Sequence, residues 1–246
     1  MRSVFSKNVI FTSLLLSLSS VSLNSSAEFQ ADVGFASEYV RQGIKQSNAK
    51  PVFQGNVIFH SQTGLYGGLW GSGINRGSPD STRFELDGFA GFYLPLTESI
   101  DLDIGYTHAT FLGESDASEN PYGVSDNAYG EGFLNILINQ STTLGYRYSP
   151  DFFGSGEDQQ VIEFAQLFNV SAFTFEGSVR NYKYINTTET VNWGSESRDD
   201  YFHFRIGVSR SYFTNHMALS LERTNLSSKF DGGTQIVFTY ARQFDF

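Results

Sequence analysis

The chain has 246 residues and a formal net charge of −10, with 16 Lys+Arg set against 26 Asp+Glu. It carries 24 Phe, 13 Tyr and 24 Gly but no cysteine. This length suits one domain. The acidic balance argues against a nucleic-acid partner, whose phosphates it would repel, and the lack of cysteine removes disulfides, thiolate nucleophiles and Cys-ligated zinc.

Residues 1–27 read as a secretory signal peptide. Arg2 and Lys7 supply the charged start, residues 9–23 (VIFTSLLLSLSSVSL) the apolar core, and Ser25-Ser26-Ala27 the small residues of a cleavage site. Cleavage is expected after Ala27, and loss of Arg2 and Lys7 takes the net charge to −12. No later apolar run is long enough for a transmembrane helix.

From Phe29 onward the dominant signal is alternation, the mark of strands with one apolar face. The first predicted strand sets Phe29, Ala31, Val33 and Phe35 against Gln30, Asp32, Gly34 and Glu38. The second, 52–60, sets Phe53, Val57 and Phe59 against Gln54, Asn56 and His60, and the third, 65–72, is ambiguous in register. The fourth, 84–93, opposes Phe84, Leu86 and Phe92 to Glu85 and Asp87, and the fifth, 100–110, opposes Ile100, Leu102, Ile104 and Tyr106 to Asp101, Asp103 and Thr107. The sixth, 130–139, places Leu134, Ile136 and Ile138 against Glu131 and Asn135, and the seventh, 142–149, places Leu144, Tyr146 and Tyr148 against Arg147. The eighth, 160–168, carries Ile162, Phe164 and Phe168 opposite Glu163, the weakest pattern after the third. The ninth, 172–184, faces Glu176 and Arg180 one way and Phe173, Phe175 and Val179 the other. The tenth, 201–210, does the same with His203 and Arg205 against Phe202, Phe204, Ile206 and Val208. The eleventh, 217–223, sets Met217, Leu219 and Leu221 against Ser220 and Glu222. The twelfth, 235–246, sets Ile236, Phe238, Tyr240, Phe244 and Phe246 against Gln235, Thr239, Gln243 and Asp245.

About twelve strands, with short turns alternating with longer polar connections such as 41–51, predict a transmembrane antiparallel up-and-down β-barrel over 28–246, all-β. The alternative is a periplasmic β-protein. Three features favour the barrel. Charge recurs on the polar face strand after strand, as a wet lumen requires. Aromatics gather at strand ends (Tyr39, Phe92, Tyr93, Tyr106, Tyr146, Tyr148, Tyr240) as interfacial girdles. The end of the chain, with Thr239, Ala241, Phe244 and Phe246, resembles the C-terminal insertion signal of bacterial outer-membrane proteins.

The stretch 33–47 (VGFASEYVRQGIKQS), followed by Lys50-Pro51 and Gln54-Gly55, resembles the opening of the TorF-type family of outer-membrane proteins. That family, porin-like, proteobacterial and of unknown function, is also catalogued as Gcw_chp. Residues 64–72 (GLYGGLWGS), 85–92 (ELDGFAGF) and 102–106 (LDIGY) are similar too. The sequence departs from the family's aromatic-Arg-Gly run, reading Arg41-Gln42-Gly43 instead. The resemblance implies an outer-membrane barrel and supplies neither a substrate nor catalytic residues.

The polar faces are the candidate site. Glu85, Asp87, Asp101 and Asp103 lie on the fourth and fifth strands, and Arg147, Arg180 and Arg205 roughly across the barrel from them. These seven are the expected pore-lining residues, arranged as a transverse field that orients solutes in a water-filled constriction. An acidic lumen predicts cation preference. The competing arrangement is a lumen filled by salt-bridged side chains, since small barrels pack their interiors.

The expected function is a narrow porin for passive diffusion of small hydrophilic solutes, with no cofactor and no metal. A structural or adhesive barrel with an occluded lumen is the alternative. Expected partners are outer-membrane lipid, lipopolysaccharide, a small hydrophilic solute, and the outer-membrane assembly machinery through the strand ending in Phe246. Arg41 and Lys45 read as a solvated loop pair rather than a lipopolysaccharide contact. Glu114, Asp116, Glu119 and Asp126 fail the EF-hand spacing. Trp70 and Trp193 read as interface or loop aromatics, and Asn186-Thr187-Thr188 is a sequon without a role in a bacterial barrel. No enzyme is expected: His60, His108, His203 and His216 show no metal-ligand spacing, and no G-x-S-x-G elbow or P-loop occurs. A lipid-modifying enzyme would have to use His108, at an outward strand end, or His216, in a predicted turn.

Overall fold

Neighbouring strands pair antiparallel all the way round and the last closes on the first. The computed structural model describes residues 28–77, 81–113, 128–185, 199–226 and 233–246. The expected signal peptide, the acidic group at 114–126, Trp193 and the 186–188 sequon therefore lie outside the described residues. The barrel strands are β1 (Glu28–Ala36), β4 (Val52–His60), β5 (Leu65–Gly73), β6 (Thr82–Pro95), β7 (Ile100–Gly113) and β8 (Ala128–Ile138) in the first half. The second half comprises β9 (Thr142–Ser149), β10 (Asp158–Val170), β11 (Phe173–Ile185), β12 (Asp200–Tyr212), β13 (Asn215–Thr224) and β14 (Thr234–Asp245). β2 (Val40–Arg41) and β3 (Ile44–Lys45) form a separate two-stranded hairpin.

Closure is made by β1 against β14, with Ala31 opposite Phe244, Gly34 opposite Ala241 and Ala36 opposite Thr239. The approach is close: a Cβ on Gly34 would run into the Tyr240 carbonyl, so a side chain there would push the seam apart. A closed sheet leaves no unpaired edge, the requirement for crossing hydrocarbon. The expected twelve strands are present, and the third and eighth, weakest in sequence, are complete as β5 and β10.

Side chains alternate as the sequence pattern demands. On β12, Ile206 is 61 % exposed while its neighbour Arg205 is 3 % exposed. Phe53, Leu69, Ile104, Ile162, Phe204 and Ile236 are exposed on the outer wall. Asp32, Glu85, Asp87, Asp103, Glu163, Arg180 and Glu222 are buried on the inner one. This inverts the soluble plan, in which apolar faces pack together.

Three expectations about aromatics are corrected. Tyr93 is on the inner wall, because its parity on β6 is that of Glu85, Asp87 and Phe89. Tyr39 is buried inside the barrel rather than placed in a girdle. Trp70 shares the inward parity of Tyr66 and Ser72 on β5, and its ring lies 5.5 Å from that of Tyr39. By contrast, Tyr106, Tyr146 and Phe244 are exposed on the outer wall.

An outward-facing residue at mid-strand has hydrocarbon as its solvent. Ile206→Arg should therefore lower the unfolding free energy of the protein folded in lipid by about 2–4 kcal/mol, read from urea titrations in vesicles. Ile206→Leu should change it little.

Candidate functional site: an ion-paired lumen and an inward hairpin

The connection from β1 to β4, expected to be a solvated loop, turns back into the barrel. Glu38 and Ser47 clasp its neck: Ser47 Oγ donates to Glu38 Oε1 at 2.8 Å and accepts from the Tyr39 amide at 2.9 Å. β2 and β3 then pair Val40 with Lys45 and Arg41 with Ile44. The two-residue tip has φ 52° at Gln42 and 78° at Gly43, the left-handed pair of a type I′ hairpin. A Cβ on Gly43 would strike Thr224 Cγ2 and press on His203, so the tip sits against the wall formed by β12 and β13. Tyr201 Oη donates to the Gln42 carbonyl at 3.1 Å, and Gln42 Nε2 donates to Gln159 Oε1 at 3.1 Å.

Arg41 is thereby carried into the lumen, 8 % exposed, and the expectation of a solvated Arg41–Lys45 pair is corrected. Its Nη1 pairs with Glu85 Oε1 and lies 3.4 Å from Asp87 Oδ2. Its Nη2 donates to Tyr129 Oη. Its Cζ lies 5.4 Å from the ring centroids of both Phe111 and Tyr129, within cation–π range. Tyr39 Oη completes the group, donating to Glu85 Oε2 at 2.7 Å.

The other arginines do not face the acids of β6 and β7 across open water. Each is paired with an acid on an adjacent strand, which replaces the expected transverse field with local neutralisation. Arg180 lies opposite Glu163 in the β10–β11 register and donates to it at 2.8 Å. Arg205 lies opposite Glu222 on β13 and bridges it to Glu176 on β11. Arg147 on β9 donates to Glu131 on β8 at 3.2 Å. The physical reason is desolvation. A buried guanidinium left without its acid costs about 3–5 kcal/mol, and the nearest acid is one strand away. Asp103 is held by neutral donors, Tyr66 Oη at 2.6 Å and Asn135 Nδ2 at 3.0 Å. Asp101 is buried near the end of β7 that follows the 96–99 turn, whereas Asp245, assigned to the inner face, is exposed at the barrel's end.

A second inward segment meets the hairpin. The 3-10 turn Phe152–Gly154 packs Phe152 and Phe153 over Tyr129, each ring 4.6 Å away, and Phe153 lies 5.1 Å from Phe111. Between hairpin and wall remains a cavity of about 40 Å³, with Arg41, Arg147, Arg180, Tyr129, Tyr182 and Glu131 among its lining. That is room for one or a few waters. Sequence reasoning missed Arg41, Tyr129, Phe111 and Phe152–Phe153. The available signal was the Gly43 turn between Val40-Arg41 and Ile44-Lys45, a short hairpin pattern inside a polar connection.

The histidines are also placed. His108 is exposed on the outer wall of β7. His216 is the second residue of β13 and buried, not in a turn, with its Nδ1 3.0 Å from Ser211 Oγ. His203 Nε2 lies 3.0 Å from Glu222 Oε2. Among the described residues no group of His, Asp and Glu has the arrangement of a metal site.

Solved structures share this architecture. The KdgM porin superposes with a TM-score of 0.53 at 9 % identity, over 88 % of this chain and 99 % of its own. The NanC porin superposes with a TM-score of 0.54 at 10 % identity, over 88 % of this chain and 98 % of its own. At such identities the likeness is one of fold, that of the outer-membrane porins. No curated protein sequence matches the chain. A family model described as a bacterial protein of unknown function, Gcw_chp, matches residues 21–246. The chain belongs to the Gcw_chp family of bacterial proteins of unknown function, and its fold is a closed twelve-stranded β-barrel.

Proposed function

We propose that the protein is a narrow outer-membrane channel for passive diffusion of small hydrophilic solutes, with the β2–β3 hairpin as its constriction. The observation that carries this reading is the inner wall. A barrel serving only as a scaffold has no need of a charged interior, whose desolvation is costly. Here Glu85, Asp87, Asp101, Asp103, Arg147, Arg180 and Arg205 all point inward and are buried, and they are the proposed lining. Carboxylates outnumber guanidiniums along it, so the residual field favours cations.

Transport needs neither cofactor nor covalent step. A solute passes by exchanging contacts with the lining, and Arg41 sets the limiting width because it ties the hairpin to β6 and β8. The second reading, a sealed barrel acting through its outer connections, is favoured by one observation: a cavity between the hairpin and the wall holds about 40 Å³. No part of either reading requires an enzyme.

Current through single refolded proteins in a planar bilayer under a salt gradient separates the two. The channel reading expects small discrete steps and a reversal potential displaced toward that of the cation. A folded, heat-modifiable but silent barrel would overturn it in favour of the sealed one. Arg41→Ala, which frees the hairpin from Glu85 and Asp87, should raise the mean current severalfold. Lys45→Ala, at a half-buried position away from that contact, should not.

A further inference from the structure

Arg41 does more than hold the hairpin in place. Its guanidinium is clasped as a ligand would be. Two carboxylates, Glu85 and Asp87, meet one edge, Tyr129 Oη accepts from the other, and the faces of Phe111 and Tyr129 lie at cation–π distance. The wall supplies all of these groups from three strands, β6, β7 and β8. The β1–β4 connection supplies the cation, together with the Tyr39 hydroxyl that donates to Glu85 Oε2, and Arg76 lies over Phe111 at 5.3 Å. The wall groups are therefore a cage that exists apart from Arg41, and its chemistry suits a planar, weakly hydrated cation. Arg41 also leaves the cage incompletely used. Asp87 is wholly buried, its Oδ2 reaches Arg41 at only 3.4 Å, and its Oδ1 has no hydrogen-bond partner. A buried carboxylate oxygen without a donor is an unmet demand for one.

We propose that Glu85, Asp87, Phe111 and Tyr129 form a binding site for small guanidinium-type organic cations, with Arg41 occupying it as a tethered competitor. Resting on the cation-preferring channel reading, this names the solute class: compounds bearing a guanidinium group, rather than alkali-metal ions. A metal ion gains little from a ring face and loses its water to enter the cage. A guanidinium keeps its planar donors against the carboxylates and stacks between the rings. Solute and hairpin compete for one seat, so entry of solute and release of the constriction are the same event. Because Arg41 is held at a high local concentration by its short tether, the intact protein binds the free cation more weakly than a protein lacking Arg41.

The test uses refolded full-length protein and guanidinium chloride at low-millimolar concentration, far below denaturing levels, with sodium chloride as control. Binding is read by calorimetry for Arg41→Ala and Arg41→Gln, each checked for heat-modifiable migration. The expected result is saturable guanidinium binding to both, at least about tenfold tighter than to wild type. Binding should also be at least about tenfold tighter than to the same variants carrying Glu85→Gln and Asp87→Asn. No guanidinium binding, or binding indifferent to those two carboxylates or matched by sodium, would overturn the proposal. Wild-type protein gives a second measurement that needs no variant to fold. The side-chain nitrogen resonances of Arg41 should shift saturably with guanidinium at higher concentration and not with sodium, and resonances that ignore guanidinium would overturn it. The site and the channel fail separately. Guanidinium binding by a silent barrel removes the channel and keeps the cage, while an Arg41→Ala protein that conducts but does not bind guanidinium removes the cage and keeps the channel.

Discussion

A backbone amide or carbonyl cannot be left unpaired in hydrocarbon, and every other feature of this protein follows from that constraint. The sheet must close, and β1 closes it on β14. Closure assigns every second side chain to the outside and the rest to the inside. The outside takes Phe, Leu, Ile and Val. The inside takes what is left, and in this sequence that is charge. With the hairpin folded into the lumen, these charges are buried rather than hydrated. They are consequently matched one strand apart: Arg180 with Glu163, Arg205 with Glu176 and Glu222, Arg147 with Glu131.

The acids of β6 have no arginine on a neighbouring strand, and the hairpin solves that problem. Arg41 arrives from the β1–β4 connection and neutralises Glu85 and Asp87. The connection can reach inward because it folds on itself, with the Gln42–Gly43 turn at its tip and the Glu38–Ser47 clasp at its neck. Its position is thus set by electrostatic demand on the wall as much as by its own hairpin geometry. The same contacts determine how wide the passage is, which makes the constriction and the principal buried ion pair one device.

Much of the fold was legible in the sequence because a barrel strand has a single period and a single decision, in or out. Phe84-Glu85-Leu86-Asp87 and Phe204-Arg205-Ile206 admit only one assignment each. Strand ends were legible less well. The pattern around His216 reads as a turn that the structure makes only two residues long, and Tyr93 reads as part of the outer belt although its parity with Asp87 places it inside. Of the candidate site, the residues of the inner wall were legible and their partners were not. Parity names which side chains face inward, but pairing depends on register between strands, which one sequence does not display. Arg180 opposite Glu163 is a register fact. Arg41 was harder still: a charge in a polar connection reads as solvated, and nothing local reports that the connection enters the barrel.

The inward placement of the hairpin is directly measurable because the chain has no native cysteine. Cysteines introduced together at Gln42 and Gln159, whose side chains meet at 3.1 Å, form a thiol pair with no competitor in the chain. In refolded protein they should be joined in high yield by a short bifunctional reagent, and each alone should react slowly with a bulky maleimide added outside the vesicle. Failure to cross-link, with rapid labelling at position 42, would place the hairpin outside the barrel and contradict the account.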